Sequence, residues 1–248
     1  MAEETLYERL TPAEFESRIK TAAIAYLPLG TLEWHGPHLP LGSDFLQSQS
    51  FFIQLARRVG GIVLPPLFLG PDRMQEVNGV EYYGMDLTKK VPNPPQQLKG
   101  SAYWVSDKLF SEMVEAILKQ LHRVGFKIVV AHGHGPSTDY FVKNGKSLGE
   151  KFDLVIMTIW RRKEDREPSL EFQYDHAATN ETSIMMALHP SLVYMEYLPK
   201  DIKEWPMGIW GKDPREYASA THGEKIIDIH LGRMESILRE QLVKLRCE

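Results

Sequence analysis

Three short stretches of the sequence hold the side chains best able to perform chemistry, and Glu33, His35 and Asp44 belong to the first of them. Residues two apart in an extended chain point to the same side, so Glu33 and His35 could bind one ion together. Residues 36–42 include two glycines and two prolines, and such a turn could return Asp44 to the same point. Asp44 also begins a predicted helix, where it could instead be only an N-cap while Glu33 lies on the surface.

The second and third stretches add further histidines and a glutamate. Residues 132–135 are His-Gly-His-Gly after a predicted strand, and the glycines indicate a sharp turn that exposes His132 and His134. In the third stretch, His176 and Glu181 could act as an acid/base pair. That stretch could also be no more than the capped first turn of a helix.

Hydrophobic periodicity places these stretches after predicted strands or at the start of a predicted helix. The predicted strands are Ala22–Leu29, Ile62–Leu67, Lys127–Ala131 and Leu154–Trp160. The predicted helices are Asp44–Val59, Ser106–Val124, a helix from about Ser137, Asn180–Leu188 and Glu224–Leu245. Strands separated by helices of this length predict βαβ units, and therefore an α/β fold with a mainly parallel sheet. Ligands of such sheets bind beyond the carboxyl ends of the strands, where the first two stretches lie.

Two long stretches without clear periodicity, Phe68–Lys99 and Lys200–Gly223, are rich in proline and glycine. Loops of this length are usually functional or cover a site. No linker divides the chain, so we expect residues 1–248 to form one domain. Aromatic residues near these loops could line a pocket for a flat or cyclic ligand, or could belong to the core: Tyr82, Tyr83, Tyr103, Trp104 and Trp160.

Composition and charge argue against nucleic acid and membranes as partners. The net charge is −4, with acidic and basic residues mixed along the chain, whereas nucleic acids and anionic membranes attract clustered cations. No stretch approaches the roughly 20 apolar residues that a membrane span needs. The acidic first residues lack the apolar segment of a signal peptide, and the single cysteine, Cys247, forms no internal disulfide. We therefore expect a cytoplasmic protein that acts on a small molecule.

The same three stretches resemble motifs of one enzyme family. Residues 27–44, which run from Leu-Pro-Leu-Gly-Thr-Leu-Glu-Trp-His to Gly-Ser-Asp, resemble the signature of the creatininase (creatinine amidohydrolase) family. Residues 133–135 resemble its Asn-Gly-His-Gly-Gly-Asn turn, and residues 176–183 resemble its His-Ala-Gly…Glu-Thr-Ser segment. The matches follow the family's order and extend over residues from about 22 to 190.

This resemblance implies a fold, an assembly and a role for each matched residue. The fold is a three-layer α/β/α sandwich, often assembled as a homohexamer, so we expect a homo-oligomer. His176 and Glu181 become the catalytic or substrate-polarising pair. Asp44 would be able to bridge two ions. The metal ligands implied by the resemblance are Glu33, His35, Asp44 and His134.

The chain also departs from the family pattern in the second stretch. Pro136 stands where the family carries a glutamate that binds a second metal, and His132 and Ser137 replace two asparagines. These departures predict about one metal ion per chain and a substrate other than creatinine. Either His132 or Glu181 could complete the metal shell instead.

These ligands predict hydrolytic chemistry. Carboxylates and imidazoles together suit Zn²⁺, which we expect, with Mn²⁺ and Fe²⁺ as alternatives. An ion so held lowers the pKa of a bound water to about 7 and supplies hydroxide at neutral pH. Glu181 would then move the proton to the leaving group, and His176 would stabilise the developing oxyanion. The predicted enzyme is a metal-dependent hydrolase of a small cyclic amide or related polar carbonyl compound.

Three other functions stay open. Ring-opening hydrolysis of a cyclic ketone, such as an oxidised inositol of the 3-dehydro-inosose type, needs the same hydroxide and oxyanion site. Deformylation of a formamide is a second possibility with the same requirements. A metal-binding or assembly protein without turnover belongs to a different class, and the presence of both His176 and Glu181 speaks against it, since binding alone needs no acid/base pair.

Overall fold

The computed structural model describes residues 4–87, 95–160, 165, 167, 170 and 174–247. The strands in chain order are β1 (Ile24–Leu29), β2 (Ile62–Val63), β3 (Met74–Val77), β4 (Val80–Tyr83), β5 (Ile128–Gly133) and β6 (Val155–Thr158). The α-helices are α1 (Pro12–Thr21), α2 (Ser43–Val59), α3 (Asp107–Arg123), α4 (Gly135–Phe152), α5 (Thr179–Leu188), α6 (Pro214–Tyr217) and α7 (Ala220–Cys247).

Four of these strands form a parallel sheet in the order β2-β1-β5-β6. β1 and β5 lie side by side at its centre over their full length, from Ile24 opposite Ile128 to Leu29 opposite Gly133. Both strands are almost completely buried, as is expected of a parallel sheet covered on both faces. Their carboxyl ends therefore finish together, and the segments that follow them start from adjacent points.

Different helices cover the two faces of the sheet, because successive strand residues point to opposite sides. On one face, Tyr26 of β1 packs with Phe52 of α2 and Leu231 of α7. On the other face, Leu27 packs with Phe110 of α3, and α1 and α4 complete this layer. The observed helix–sheet–helix layers confirm the predicted three-layer α/β/α sandwich.

The predicted strand Ile62–Leu67 is too long, since β2 ends at Val63. Pro65 and Pro66 follow, and proline has no N–H to donate to a sheet ladder. The chain nevertheless returns to the sheet, because the Leu67 N–H donates to the Pro28 carbonyl at 3.0 Å. The predictions for the other sheet strands and for the long helices are correct to within a few residues at each end.

The stretch Phe68–Lys99 is not irregular throughout, because it contains the antiparallel hairpin β3–β4. Asn78 and Gly79 form its turn with φ angles of 54° and 77°, as a two-residue turn of the Asn-Gly type requires. This dipeptide is a strong hairpin signal that the sequence analysis overlooked. Residues 88–94 of the stretch lie outside the described residues.

The second long stretch, Lys200–Gly223, contains the short helix α6 and the start of α7. One side chain holds much of it in place. Arg215 pairs with Asp213, its only carboxylate partner among the described residues, and both side chains are about nine-tenths buried. The guanidinium also donates to four backbone carbonyl groups, those of Pro199, Asp201, Ile202 and Glu204.

The length and apolar character of the helices decide whether any of them could span a membrane. Within the described ranges, no helix combines the length and the apolar character needed to cross a bilayer. The longest one, α7, instead buries one side against α2 and α5.

Replacing Arg215 with Met should destabilise the protein by about 2–4 kcal/mol, because the largely buried Asp213 would lose its counter-charge and four backbone carbonyl groups would lose their donor. Arg58→Met is the matched control. Arg58 forms longer ion pairs, at 3.5 Å to Asp228 and 3.9 Å to Glu235, and is more exposed. Surface pairs of this kind contribute about 0–1 kcal/mol. Urea unfolding of both variants measures the difference, and equal losses would show that Arg215 is no special anchor.

Candidate metal centre

The centre forms where the carboxyl ends of β1 and β5 meet. Glu33 and His35 follow β1, and His134 follows β5. Gly133 makes this approach possible, since its φ is +144° and a Cβ there would collide with the Leu29 carbonyl oxygen. The first two stretches of the sequence are thereby brought together, as expected for segments that follow the carboxyl ends of neighbouring parallel strands.

The distances between imidazole nitrogens and carboxylate oxygens follow one pattern. His35 Nε2 lies 3.6 Å from Asp44 Oδ1 and 3.7 Å from Glu181 Oε2. His134 Nε2 lies 3.7 Å from Glu33 Oε2 and 3.6 Å from Asp72 Oδ2. These separations are too long for direct hydrogen bonds. Two ligands on one tetrahedral ion with bonds near 2.0–2.2 Å would be about 3.3–3.6 Å apart, so the spacing suits a shared cation.

Two groups of potential ligands share Asp44. Glu33, Asp44 and His134 form one group, and His35, Asp44 and Glu181 form the other, with the ligand atoms of each group within 4.8 Å of one another. A further group without Asp44, formed by Glu33, His35 and His176, meets the same distance limit. All four metal ligands predicted from the sequence are present, and Glu181 joins them. A carboxylate common to both groups could bridge two ions, whereas Pro136 predicted about one ion per chain.

Backbone and hydroxyl contacts fix how both histidines face the centre. His35 donates its Nδ1–H to the Glu33 carbonyl at 3.0 Å, which leaves the Nε2 lone pair directed at the centre. The Nδ1 of His134 is 3.1 Å from Ser137 Oγ. Within the described chain, Nε2 of each ring is buried without a hydrogen-bond partner, and so is Oδ2 of Asp44. Such atoms are rare unless an ion or water binds them.

His176 is oriented differently from the other two histidines. Its Nε2–H donates to the Trp34 carbonyl at 2.7 Å, so in the neutral ring Nδ1 is an acceptor. That Nδ1 lies 4.0 Å from Glu33 Oε2, and the ring packs 4.5 Å from the ring of His35. Paired hydrogen bonds between the His176 and Trp210 backbones, at 2.8 and 2.9 Å, tie this residue to the second long loop.

The first turn of α5 positions Glu181. Asp175 accepts the N–H groups of Asn180 at 2.6 Å and Glu181 at 3.1 Å, so it caps the helix start. Glu181 Oε2 in turn accepts the Ala177 N–H at 2.6 Å. The third stretch is therefore both a capped helix start and part of the centre. Asp175 was not among the residues predicted from the sequence to hold the start of α5.

Burial controls the charge state of the groups in the centre. Because desolvation disfavours the charged form, it raises the pKa of Glu33 to about 7 and the pKa of Glu181 to about 8. Burial, with the nearby His35, lowers the pKa of His176 to about 3. For His35 the carboxylates, Asp44 first, outweigh desolvation and raise its pKa to about 10. A divalent cation would favour ionised carboxylates and neutral imidazoles, the forms that bind metal.

Two neighbouring residues differ from what the sequence suggested: His132 was a possible ligand, and Asp72 was not considered. His132 belongs to none of the three ligand groups of the described residues, and its ring packs edge-on against Trp160 at 4.4 Å. Asp72, which the sequence analysis did not select, lies beside His134 with 6% of its side chain exposed. No motif or spacing marks Asp72, because it comes from the long loop before β3.

A cavity of about 1070 Å³ opens onto the centre. Three of the five candidate aromatic residues, Tyr83, Trp104 and Trp160, line it. The rings of Tyr83 and Trp104 are stacked, with centroids 5.9 Å apart and planes 7° apart. Tyr103 is 54% exposed, and Tyr82 is outside the cavity wall. The cavity thus combines a flat aromatic wall with a carboxylate- and imidazole-rich floor.

Asp44→Asn should lose bound zinc while the fold survives. Asp44 is the second residue of α2 and its N-cap is Gly42, so Asp44 does not cap the helix. Asn keeps the shape but lacks the charge common to both ligand groups. We expect the zinc affinity to fall by more than about 100-fold, beyond the loss caused by removing outer partners of a ligand. Elemental analysis after dialysis and circular dichroism test both parts.

Glu14→Gln is the control for this variant, because Glu14 also lies in the first turn of a helix, in the capping box of α1, far from the centre. Glutamine can keep such a box. Wild-type zinc content in Asp44→Asn would assign Asp44 a purely structural role.

Two curated proteins resemble this chain along much of its length. A creatinine amidohydrolase of Pseudomonas putida is 24% identical over 97% of this chain and 98% of that protein. A 3-dehydro-scyllo-inosose hydrolase of Thermotoga maritima is 22% identical over 77% of this chain, and the match spans 58% of that longer protein.

Solved creatininase structures share the fold. A manganese form and a mutant complexed with creatine each have a TM-score of 0.73, with 21% identity over 96% of this chain and 99% of theirs. A mutant of the Zn–Zn type gives a TM-score of 0.72 at 21% identity, over 96% of this chain and 98% of that one.

The family model for creatininase, described as creatinine amidohydrolase, matches residues 8–238. This match confirms the resemblance found in the sequence and the prediction of a hydrolase-family enzyme. The chain belongs to the creatininase family.

Proposed function

We propose that this protein is a metal-dependent hydrolase that opens a small cyclic amide or a related polar carbonyl compound. The observation that carries the proposal is the pair of ligand groups sharing Asp44 on the floor of a cavity, with the Nδ1 of His176 facing the same point. Ligands, an acid/base group and room for a substrate therefore occur together, which pure metal storage would not need.

Two divalent ions would fit these residues. Glu33, Asp44 and His134 would hold one, and His35, Asp44 and Glu181 would hold the other. We propose zinc or manganese, since carboxylates suit Mn²⁺ and imidazoles suit Zn²⁺. Creatininase structures in manganese and Zn–Zn forms support this choice. A bound ion would supply Lewis-acid polarisation of the substrate carbonyl and acidify water.

His176 is better suited to proton transfer than to the oxyanion role expected from the sequence. A group that stabilises an oxyanion must donate a hydrogen bond. The only N–H of the neutral His176 ring is already donated to the Trp34 carbonyl, so Nδ1 can accept a proton from the attacking water. Once protonated there, the same Nδ1 can return the proton to the leaving group, as acid/base catalysis requires.

Glu181 is better suited to metal binding than to proton transfer. Its Oε2 faces His35 Nε2 at the same spacing as Asp44 does and accepts the Ala177 N–H, which holds it in place. A ligand gains from such immobilisation, because it has lost its conformational freedom before the ion binds.

The aromatic wall of the cavity and the activities of the relatives both bear on the substrate class. The stacked Tyr83 and Trp104 provide a flat face above the centre, with Trp104 5.8 Å from the His134 ring. Flat rings pack well on such a surface. The named activity of the Pseudomonas relative is on a cyclic amide, creatinine. A planar lactam is therefore the first candidate.

A cyclic ketone is the second candidate, because the Thermotoga relative is a hydrolase of 3-dehydro-scyllo-inosose. Opening an activated ketone ring and opening a lactam both require water attack at a polarised carbonyl. The same metal ligands would serve both reactions, so selection between a lactam and a cyclic ketone must come from the side chains of the cavity wall.

A substrate screen tests the proposal directly. The zinc- and manganese-loaded protein would be incubated with creatinine and hydantoin-type lactams, an inosose, and a formamide, with mass spectrometry of the products. Turnover of a lactam supports the first candidate, and turnover of the inosose alone supports the second. Cleavage of the formamide alone, which consumes one water and releases an amine and formate, would indicate a deformylase. No turnover with any class would favour a binding protein.

His176→Asn should reduce turnover of the substrate found in this screen by about 10²–10⁴-fold, the usual contribution of a positioned acid/base group. Metal content should stay at the wild-type level, because the variant keeps all the side chains of the two proposed ion sites. The control is His122→Asn, whose ring is 42% exposed in the last turn of α3. Loss of metal together with activity would instead make His176 a ligand.

Glu181→Gln should lose one ion and activity together, because Gln keeps the shape of the side chain but not its charge. Metal content and rate are measured on the same sample. A lost rate with full metal would restore the proton-transfer role expected from the sequence. Full rate and full metal would mean that Glu181 only stabilises the start of α5.

Domain organisation and assembly remain proposals as well. We propose that the chain works as one domain, because the centre draws on residues from 33 to 181 and α7 packs on the same sheet as α2. We also propose a homo-oligomer, on family membership alone.

A further inference from the structure

A fourth carboxylate of the centre comes from the loop that precedes β3. Asp72 Oδ2 lies 3.6 Å from His134 Nε2, the same nitrogen that lies 3.7 Å from Glu33 Oε2. Its other oxygen, Oδ1, accepts the N–H of Arg73 at 2.6 Å. One oxygen is therefore held by the backbone, and the second is aimed at the centre.

Asp72 is buried, and its carboxylate has no lysine or arginine partner in the part of the chain that the structure describes. Only 6% of its side chain is exposed, and the ion pair recorded for it among the described residues is with His134. No lysine or arginine in the described ranges approaches its carboxylate within 4.0 Å. Buried charges that are not paired usually coordinate metals. At 3.6 Å, His134 itself is too distant to be a good hydrogen-bond donor.

The backbone on both sides leaves room for this carboxylate. Gly84, which follows β4, has a φ of +51°, and a Cβ there would collide with Asp72 Oδ2 and come within 2.9 Å of Glu33 Oε1. The two carboxylates thus converge on one small space beside His134. From the other direction, α4 begins with Gly135 and Pro136, which offer no ligand side chain.

We propose that Asp72 is a metal ligand that completes, with Glu33, Asp44 and His134, the ion site on the His134 side of the centre. The inference rests on the proposed function, since it adds a ligand to the same centre. Three carboxylates and one imidazole make this site richer in oxygen than the site of His35, and such a shell favours Mn²⁺ more than its neighbour does. Because Asp72 precedes β3, an ion held there would also connect the hairpin to the sheet.

The test compares Asp72→Asn with Glu76→Gln, an exposed carboxylate on the same hairpin. Dialysed full-length proteins are titrated with Zn²⁺ against a chromophoric chelator, and bound metal is counted by elemental analysis. Circular dichroism and thermal unfolding in EDTA confirm that each variant folds. We expect Asp72→Asn to lower the affinity for one of the two ions by more than about 100-fold. This is beyond the roughly 10–100-fold loss that follows removal of a group that only hydrogen-bonds to a ligand. The affinity of Asp72→Asn for the other ion should be unchanged, and Glu76→Gln should bind both ions as the wild type does.

Asp72→Asn that binds every ion within 100-fold of wild type would overturn the inference and leave the proposed function intact. A wild-type protein that binds no zinc would overturn both. The absorption spectrum of bound Co²⁺ gives a second readout, because removing a ligand changes the coordination geometry. If Asp72→Asn shifts this spectrum no more than Glu76→Gln does, Asp72 is not a ligand.

Discussion

The structure depends on one electrostatic constraint, the burial of several carboxylates around a single point. Glu33, Asp44, Asp72 and Glu181 converge there with three imidazoles, and the ion pairs of these carboxylates among the described residues involve only histidines. Ionised carboxylates cannot be buried in this number without a compensating charge. Protons can provide part of it, which is why burial raises the pKa of two of the four carboxyl groups. Two divalent cations would supply four positive charges, enough to compensate all four carboxylates, and the 3.6–3.7 Å spacings suit them.

The scaffold can be understood as the means of satisfying this constraint. Equal register of β1 and β5 makes two strand ends finish together, and Gly133 allows their close contact. Asp175 caps α5 and so fixes Glu181, while the Trp210 backbone fixes His176. The loops are therefore as important as the sheet, because each supplies or holds a group that the strands alone could not place. This arrangement is common in α/β proteins, where rigid strands carry functional loops.

Local sequence was sufficient for most of the fold and for the ligands next to strand ends. Glu33, His35 and His134 follow buried strands whose apolar runs are easily recognised, and a parallel sheet brings such ends together. Asp72 could not be found in this way, because its position depends on how a long loop folds back onto β5. The role of His176 depends on which ring nitrogen the Trp34 carbonyl engages, a tertiary contact that no local pattern encodes. The hairpin β3–β4 was within reach, since its Asn78-Gly79 turn has a known signature.

The central claim is that Asp44 joins two metal sites in one hydrolytic centre. The most direct measurement is a crystal structure of the zinc-loaded protein with anomalous data collected at the zinc edge. The account predicts two anomalous peaks, each within bonding distance of one oxygen of Asp44, with His134 on one ion and His35 on the other. A single peak bound by both histidines, or the absence of a peak at Asp44, would contradict it.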